Sequence, residues 1–322
     1  MRHRVLSTCV LLFIFSTASA QVTTHGVIHG GLGWYLPTLD KAGELFVFEV
    51  GSGEVVVVLH GGPGVDFTYL LPVANGLEGN LHFVFYDQRG SLRSRVAPDS
   101  ISMQKHVEDL ETLREAIGAA RMSVLSHSAG TLLAFEYLKA HPDRVKNLVL
   151  VGALPHKNGR KYFDDEYAAL WRTLSEDARQ FAERPAVLAE LKKAGLDNQA
   201  RTPKQEAILS LIRQVGAETF HVERWVQALP VRVNPEASSK TRTTTNFEYD
   251  YSALLANHPF PVTVINGEFD YTVGPRDSPL WRRLAATTAP RLRVVVIPDA
   301  SHIVWRDAPG RFQRALRSAL IP

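Results

Sequence analysis

Met122-Ser123-Val124-Leu125-Ser126-His127-Ser128-Ala129-Gly130-Thr131-Leu132-Leu133-Ala134 is the stretch that decides how this chain is built. Met122 to Leu125 reads as a buried strand, and Ala129 to Ala140 as a mostly apolar helix. Ser128 falls in the turn between them. A serine raised on a tight strand-to-helix turn exposes its hydroxyl, and the N–H of the next residue, Ala129, faces the same space from the positive end of the helix. The usual pentapeptide for such a nucleophile elbow is Gly-x-Ser-x-Gly. Here Ser126 takes the first glycine position, which needs a small residue more than it needs glycine. Taken alone, Ser-x-Ser-x-Gly also describes a plain helix-capping serine, so its meaning depends on the rest of the chain.

Outward from this stretch, short β-branched runs alternate with helical patterns. Glu44 to Val50 alternates apolar and polar residues as a half-buried strand does, whereas Val55 to Leu59 is apolar throughout, as a strand covered on both faces is. Further strands are expected at Leu81 to Tyr86, Val145 to Val151, Val262 to Ile265 and Leu292 to Ile297, and Val107, Leu110, Leu113 and Ile117 recur at helical spacing. Such alternation implies an α/β fold, a mostly parallel sheet with helices on both faces. It stops after Leu154 and resumes near Phe260. In between, helical spacing is kept by Tyr167, Leu170, Trp171, Leu174, Ala178 and Phe181, then by Ile208, Leu211, Ile212 and Val215 behind Thr202 as N-cap and Pro203. Val222, Trp225, Val226 and Leu229 form a shorter stripe. Residues 155–257 are therefore expected to be a helical cap or lid inserted into a core of residues 21–154 and 258–322. Within the insertion, the Ser/Thr-rich stretch from Arg232 to Asn246 is expected to be an exposed loop without a role.

Asp270 follows the strand at Val262 to Ile265, and His302 follows the strand at Leu292 to Ile297. The chain order Ser, Asp, His, with the last two just beyond strand ends, brings Ser128, Asp270 and His302 to the carboxyl edge of the sheet as a catalytic triad. Glu268 and Asp277 compete for the acid role. Asp270 is preferred because Glu268 falls too close to the strand end and Asp277 lies past Pro275. His302 is preferred over His258, His221 and His141 for its place after the last strand. His60-Gly61-Gly62-Pro63-Gly64 directly follows Val55 to Leu59, and the N–H groups of Gly62 and Ala129 are the expected oxyanion hole. His60 itself is expected to orient this loop. Neither a metal nor an organic cofactor is implied, since no His/Glu cluster has ligand spacing.

At the other end of the chain, Arg2 and Arg4 precede the apolar run from Val5 to Phe15 and the sequence Ser16-Thr17-Ala18-Ser19-Ala20. This order is that of a secretory signal peptide over residues 1–20. The apolar run is too short for a membrane span, and Cys9 stands too early for a lipoprotein site. Cleavage after Ala20 would leave 302 residues without the single cysteine and would lower the net charge from +3 to +1. The expected destination is the periplasm or the exterior, with no stable membrane span after cleavage. At 45% hydrophobic and 21% charged residues, with 36 basic against 33 acidic, the composition excludes disorder and offers no basic face for nucleic acid. The sequence carries no signal of an oligomeric state.

His60-Gly61-Gly62-Pro63-Gly64, Tyr86-Asp87-Gln88-Arg89-Gly90-Ser91, the Ser128 elbow and His141-Pro142-Asp143-Arg144-Val145 together resemble the α/β-hydrolase superfamily, and within it the proline iminopeptidase group (prolyl aminopeptidase, peptidase family S33). The resemblance covers about Glu44 to Gly152 and Pro261 to Pro322. It implies an α/β-hydrolase fold and a serine hydrolase with an acyl-enzyme, releasing N-terminal residues from short peptides, and it makes Asp87 and Arg89 structural. Two departures stand out. Proline-specific members hold the substrate amine with acidic residues, in some directly after the triad aspartate, where this chain has Tyr271; the insertion offers Glu166, Glu206, Glu218 and Glu223. Compact members are commonly intracellular, unlike a chain with a signal peptide. A carboxylesterase or lactonase on small-molecule esters is the alternative, and a non-catalytic ligand-binding protein on the same fold is a second.

Overall fold

The computed structural model describes residues 30–159, 161, 165–196, 202–227, 233–272, 279–288 and 291–321. The expected signal peptide at residues 1–20 lies outside the described residues, as do Leu229, Arg232, Asp277 and the side chains of Glu166, Tyr167, Leu170, Trp171, Trp225 and Val226.

Eight strands form the main sheet: β1 (Leu32–Pro37), β2 (Glu44–Gly51), β3 (Glu54–Leu59), β4 (Leu81–Tyr86), β5 (Met122–His127), β6 (Val145–Val151), β9 (Val262–Gly267) and β10 (Leu292–Ile297). A short ribbon, β7 (Lys157–Asn158) with β8 (Tyr249–Asp250), stands apart. The sheet runs β1-β2-β4-β3-β5-β6-β9-β10. β1 and β2 pair antiparallel, as do β2 and β4, and every other pairing is parallel. The expected α/β architecture is thus present, with β1 added ahead of the first strand read from the sequence.

The pleat divides the core. Along β3, Val57 and Leu59 belong to one apolar cluster with Leu110 and Leu113 of α1 (Met103–Ala116) and Leu132 and Phe135 of α2 (Gly130–Ala140). Val56 and Val58 belong to the other cluster, which Phe67 and Leu70 cover. A strand sandwiched in this way loses nothing by being apolar at every position. Between β6 and β9 lie α3 (Asp165–Ala182), α4 (Pro185–Lys193), α5 (Pro203–Glu218), α6 (Pro235–Thr244) and α7 (Ser252–Ala256). α8 (Pro279–Thr288) precedes β10, after which come α9 (Val304–Asp307) and α10 (Pro309–Leu320), whose Phe312 and Leu316 join the second cluster. Thr202 caps α5 in a capping box with Gln205. None of the described helices is long and apolar enough to cross a membrane.

The stretch expected as an exposed loop is a helix. Asn234 caps α6 by accepting from the N–H groups of Glu236 and Ala237, Pro235 opens the first turn, and Ala237 and Thr241 are buried one turn apart. Polar composition concealed a start signal, Asn-Pro, and an inward stripe of small residues.

Strand order reverses at β3, whose successor β4 lies on one side and β5 on the other. The crevice beyond the carboxyl ends of β3 and β5 is where an open α/β sheet can hold a ligand. The His60 loop and Ser128 both emerge there.

Candidate active site

Ser128 has φ +53°, the left-handed region that non-glycine residues rarely enter. Its conformation is held by its N–H donating to Val151 O (3.0 Å) and its carbonyl accepting from Thr131 N–H (2.9 Å). The turn is crowded from below. A Cβ at Gly130 would lie 2.8 Å from Leu59 O, and one at Gly61 would lie 2.6 Å from Ser128 Cβ, so both positions require glycine for close approach. Ser126 fits fully buried in β5, but its Oγ has no hydrogen-bond partner among the described residues. The small side chain is accommodated at the cost of an orphaned hydroxyl.

Asp270 and His302 meet as the chain order predicts. His302 Nδ1 lies 3.1 Å from Oδ1 and 3.0 Å from Oδ2 of Asp270, both residues being buried. The acid also accepts from Thr272 N–H at 3.1 Å. Burial acts to lower the His302 pKa, but the Asp270 charge and hydrogen bond, joined by the charge of Glu218, leave it above the ordinary histidine value. Glu268 instead donates its N–H to Ile297 O in the turn before Asp270. His258 binds Pro142 O, His221 pairs with Glu223, and His141 stacks near Tyr137, so none of the other histidine candidates bonds Asp270. His302 packs against His127, the residue before Ser128, with ring centroids 4.5 Å apart, and no direct hydrogen bond joins the Ser128 and His302 side chains.

The His60 loop is tied down as a support. His60 Nε2 accepts from Gln88 N–H (3.0 Å), Gln88 Nε2 donates to His60 O (2.8 Å), and burial lowers the His60 pKa. Asp87 and Arg89, for which a structural part is expected, are both engaged in ion pairs: Arg89 is buried in a bidentate pair with Asp109 (2.7 and 2.6 Å), and Asp87 holds Arg93 (2.7 and 2.9 Å). Gly62 stands at φ +64°, and the N–H groups of Gly62 and Ala129 donate to no acceptor among the described residues.

Three supporting groups escaped the sequence reading. His127, the variable residue before Ser128, bonds His302 O through Nε2 (3.2 Å) and Tyr69 Oη through Nδ1 (2.9 Å), and Gly61 N–H donates to the same phenol oxygen (2.8 Å). A carbonyl can only accept, so His127 carries its proton on Nε2 and Tyr69 donates to Nδ1. Burial keeps this imidazole well below the ordinary pKa and hence neutral. Asp307 accepts from Ser301, Phe220 and His221 N–H groups (2.9, 2.8 and 3.1 Å), joining the end of α5 to the residue before His302. Phe269 and Tyr271, the neighbours of Asp270, both pack on Phe181 of α3, Phe269 stacked and Tyr271 tilted, and Phe220 packs tilted against Phe269. The local clue to the first of these was a histidine inside the elbow itself; the other two depend on residues far apart in sequence.

A cavity of about 320 Å³ opens at Ser128 and Ala129. Leu132, Leu133 and Leu154 give it apolar walls, and Thr241, Arg242 and Thr245 bring α6 and its end to the same cavity. His106 also lines it; its Nε2 meets Thr241 Oγ1 at 3.1 Å, its Nδ1 is unpartnered, and burial holds its pKa down to about 3.

Residues 54–309 match the family described as alpha/beta hydrolase fold. A proline iminopeptidase of Neisseria meningitidis is 33% identical over 135 residues, which are 40% of this chain and 42% of that protein. The chain thus matches less than half the length of this curated relative. Among solved structures, a proline iminopeptidase of Mycobacterium smegmatis is similar with TM-score 0.59 and 22% identity, over 89% of this chain and 96% of that one. A thermophilic esterase of Thermogutta terrifontis is similar with TM-score 0.60 and 20% identity, over 89% and 97%.

Proposed function

The chain belongs to the alpha/beta hydrolase fold family, and from that premise we propose that it is an exported serine hydrolase of the proline iminopeptidase kind, which releases N-terminal residues from short peptides through an acyl-enzyme. The observation that carries the chemistry is the Asp270–His302 pair, tied through His127 to the strained turn that holds Ser128. His302 takes the Ser128 proton as Oγ attacks the substrate carbonyl, and Asp270 holds the imidazole in the tautomer that leaves Nε2 free to accept. The N–H groups of Gly62 and Ala129 receive the oxyanion. His302 then hands its proton to the leaving amine, and water releases the acyl group by the same steps with the nucleophile exchanged. The absent Ser128–His302 hydrogen bond is ordinary before substrate arrives, since such bonds tighten in the complex.

For substrate, the supporting observation is Glu218. It ends α5, its carbonyl accepts from the N–H of Ile303 next to His302 (3.0 Å), and its charge helps to raise the His302 pKa. A carboxylate so placed suits a free amino group. The second reading, a carboxylesterase or lactonase, is favoured by the cavity itself, whose described walls are apolar or neutral apart from Arg242.

One panel decides between them: a proline arylamide with a free imino group, its N-acylated form, and a short-chain nitrophenyl ester. The aminopeptidase reading expects the free form to be strongly preferred, and it fails if blocking the nitrogen changes nothing. Ser128→Ala is expected to abolish turnover and labelling by a fluorophosphonate; labelling that persists elsewhere in the chain overturns the serine mechanism. Export expects the protein outside the cytoplasm to begin at Gln21, which N-terminal sequencing reads directly.

A further inference from the structure

Arg242 is the one formally charged side chain on the described lining of the Ser128 cavity, and it makes no ion pair among the described residues. It sits in the last turn of α6, a helix fixed at its start by Asn234, whose side-chain amide donates to Gly90 O (2.8 Å), and near its end by the buried Thr241–His106 contact (3.1 Å). Arg242 is exposed to solvent, so its guanidinium stands at the open side of the cavity on an anchored element. There a planar, permanently charged fork suits a carboxylate better than any neutral group does. His60 and His106, on the same lining, are kept neutral by burial and neither compete for nor repel an anion.

We propose that Arg242 forms a carboxylate subsite, holding an acid group that the substrate carries away from its scissile carbonyl. This rests on Ser128 being the nucleophile of the same cavity, and it narrows the substrate class. On the peptide branch the acid is the free C-terminus of a short peptide. On the ester branch it is the second acid of a dicarboxylic half-ester.

The test compares acid and neutral partners in both branches: Pro-Gly against Pro-Gly amide, and the mono-nitrophenyl ester of adipate against nitrophenyl hexanoate. In the wild-type protein kcat/KM is expected to favour the acid by about tenfold in the branch that is turned over, the discrimination expected of one charge-assisted hydrogen-bonded pair. Arg242→Gln is expected to level the ratio and Arg242→Glu to reverse it, whereas the same charge change at exposed Arg213 keeps the preference. A wild-type ratio near one in both branches, or a preference that survives Arg242→Glu, overturns the subsite. Equilibrium binding of the same pairs to the Ser128→Ala variant, with and without Arg242→Glu, reads the preference without turnover. If Ser128→Ala still hydrolyses, the serine mechanism falls, and the binding ratio still decides Arg242.

Discussion

Tyr69 Oη donates to His127 Nδ1 across 2.9 Å, and through this contact the His60 loop, the Ser128 turn and the His302 loop share one hydrogen-bonded chain. Tyr69→Phe removes the hydroxyl and leaves Gly61 N–H and His127 Nδ1 without their partner. The expected outcome is a fall in kcat of about tenfold with KM little changed, because misplacement by a fraction of an ångström penalises the reacting geometry more than ground-state binding. Kinetics normalised to the fraction labelled by a fluorophosphonate check this, since simple loss of folded protein would leave the normalised kcat intact.

Gly152 adopts φ +52°, and a Cβ there would lie 2.9 Å from His302 Nδ1 and 3.2 Å from Asp270 Oδ2. Gly152→Ala therefore wedges a methyl group into the Asp–His pair and strains the backbone as well. Activity is expected to fall on the order of 10²-fold. Normalised kinetics alongside thermal unfolding separate this from global loss of structure.

In the proposed mechanism His302 acts as a base only when neutral, and its pKa is held above the ordinary value of 6.5. The acid limb of kcat/KM is therefore expected to inflect above that value, with activity rising as pH rises through it. Asp270→Asn removes the strongest upward influence and leaves burial to act, so the inflection moves to lower pH while kcat drops on the order of 10²–10⁴-fold. Glu218→Gln moves it in the same direction by less. For stability the sign is opposite: a raised imidazole pKa contributes below the unfolded value, and that contribution is lost as pH climbs through the folded one.

Ser126 Oγ is buried without a partner among the described residues. Ser126→Ala deletes the orphaned hydroxyl and keeps the side chain's bulk at Cβ. It is expected to raise stability by about 1 kcal/mol, measured as the denaturation midpoint, with activity retained.

Much of the fold was legible because buried parallel strands are written as mostly apolar, β-branched runs. Val55 to Leu59 is apolar throughout, Met122 to Leu125 is broken only by Ser123 and Leu292 to Ile297 only by Arg293, and the residues beyond the last two runs, Ser128 and His302, inherit their positions from them. The elbow's missing glycine did not obscure it, since Ser126 is small enough to lie against β3 and β6. β1 and α6 were harder for different reasons. β1 is an edge strand with exposed Leu32 and Tyr35, so it lacks the apolar run of a central strand. α6 buries only Ala237 and Thr241, too little to mark a face amid threonines and serines. Contacts such as Tyr69 to His127 join residues 58 positions apart, and no local pattern carries them.

The packing of Phe181 against Phe269 and Tyr271, with Phe220 alongside, couples the helical segment to the residues on either side of Asp270. Grafting a relative's segment onto this core to alter its selectivity would therefore also exchange two of the rings against which the acid loop rests. A chimera that omits Phe181 and Phe220 inherits a new pocket together with a loosened acid, and its loss of rate would be mistaken for poor substrate fit. Transplants between such proteins have to move the segment and its aromatic counterparts as one unit.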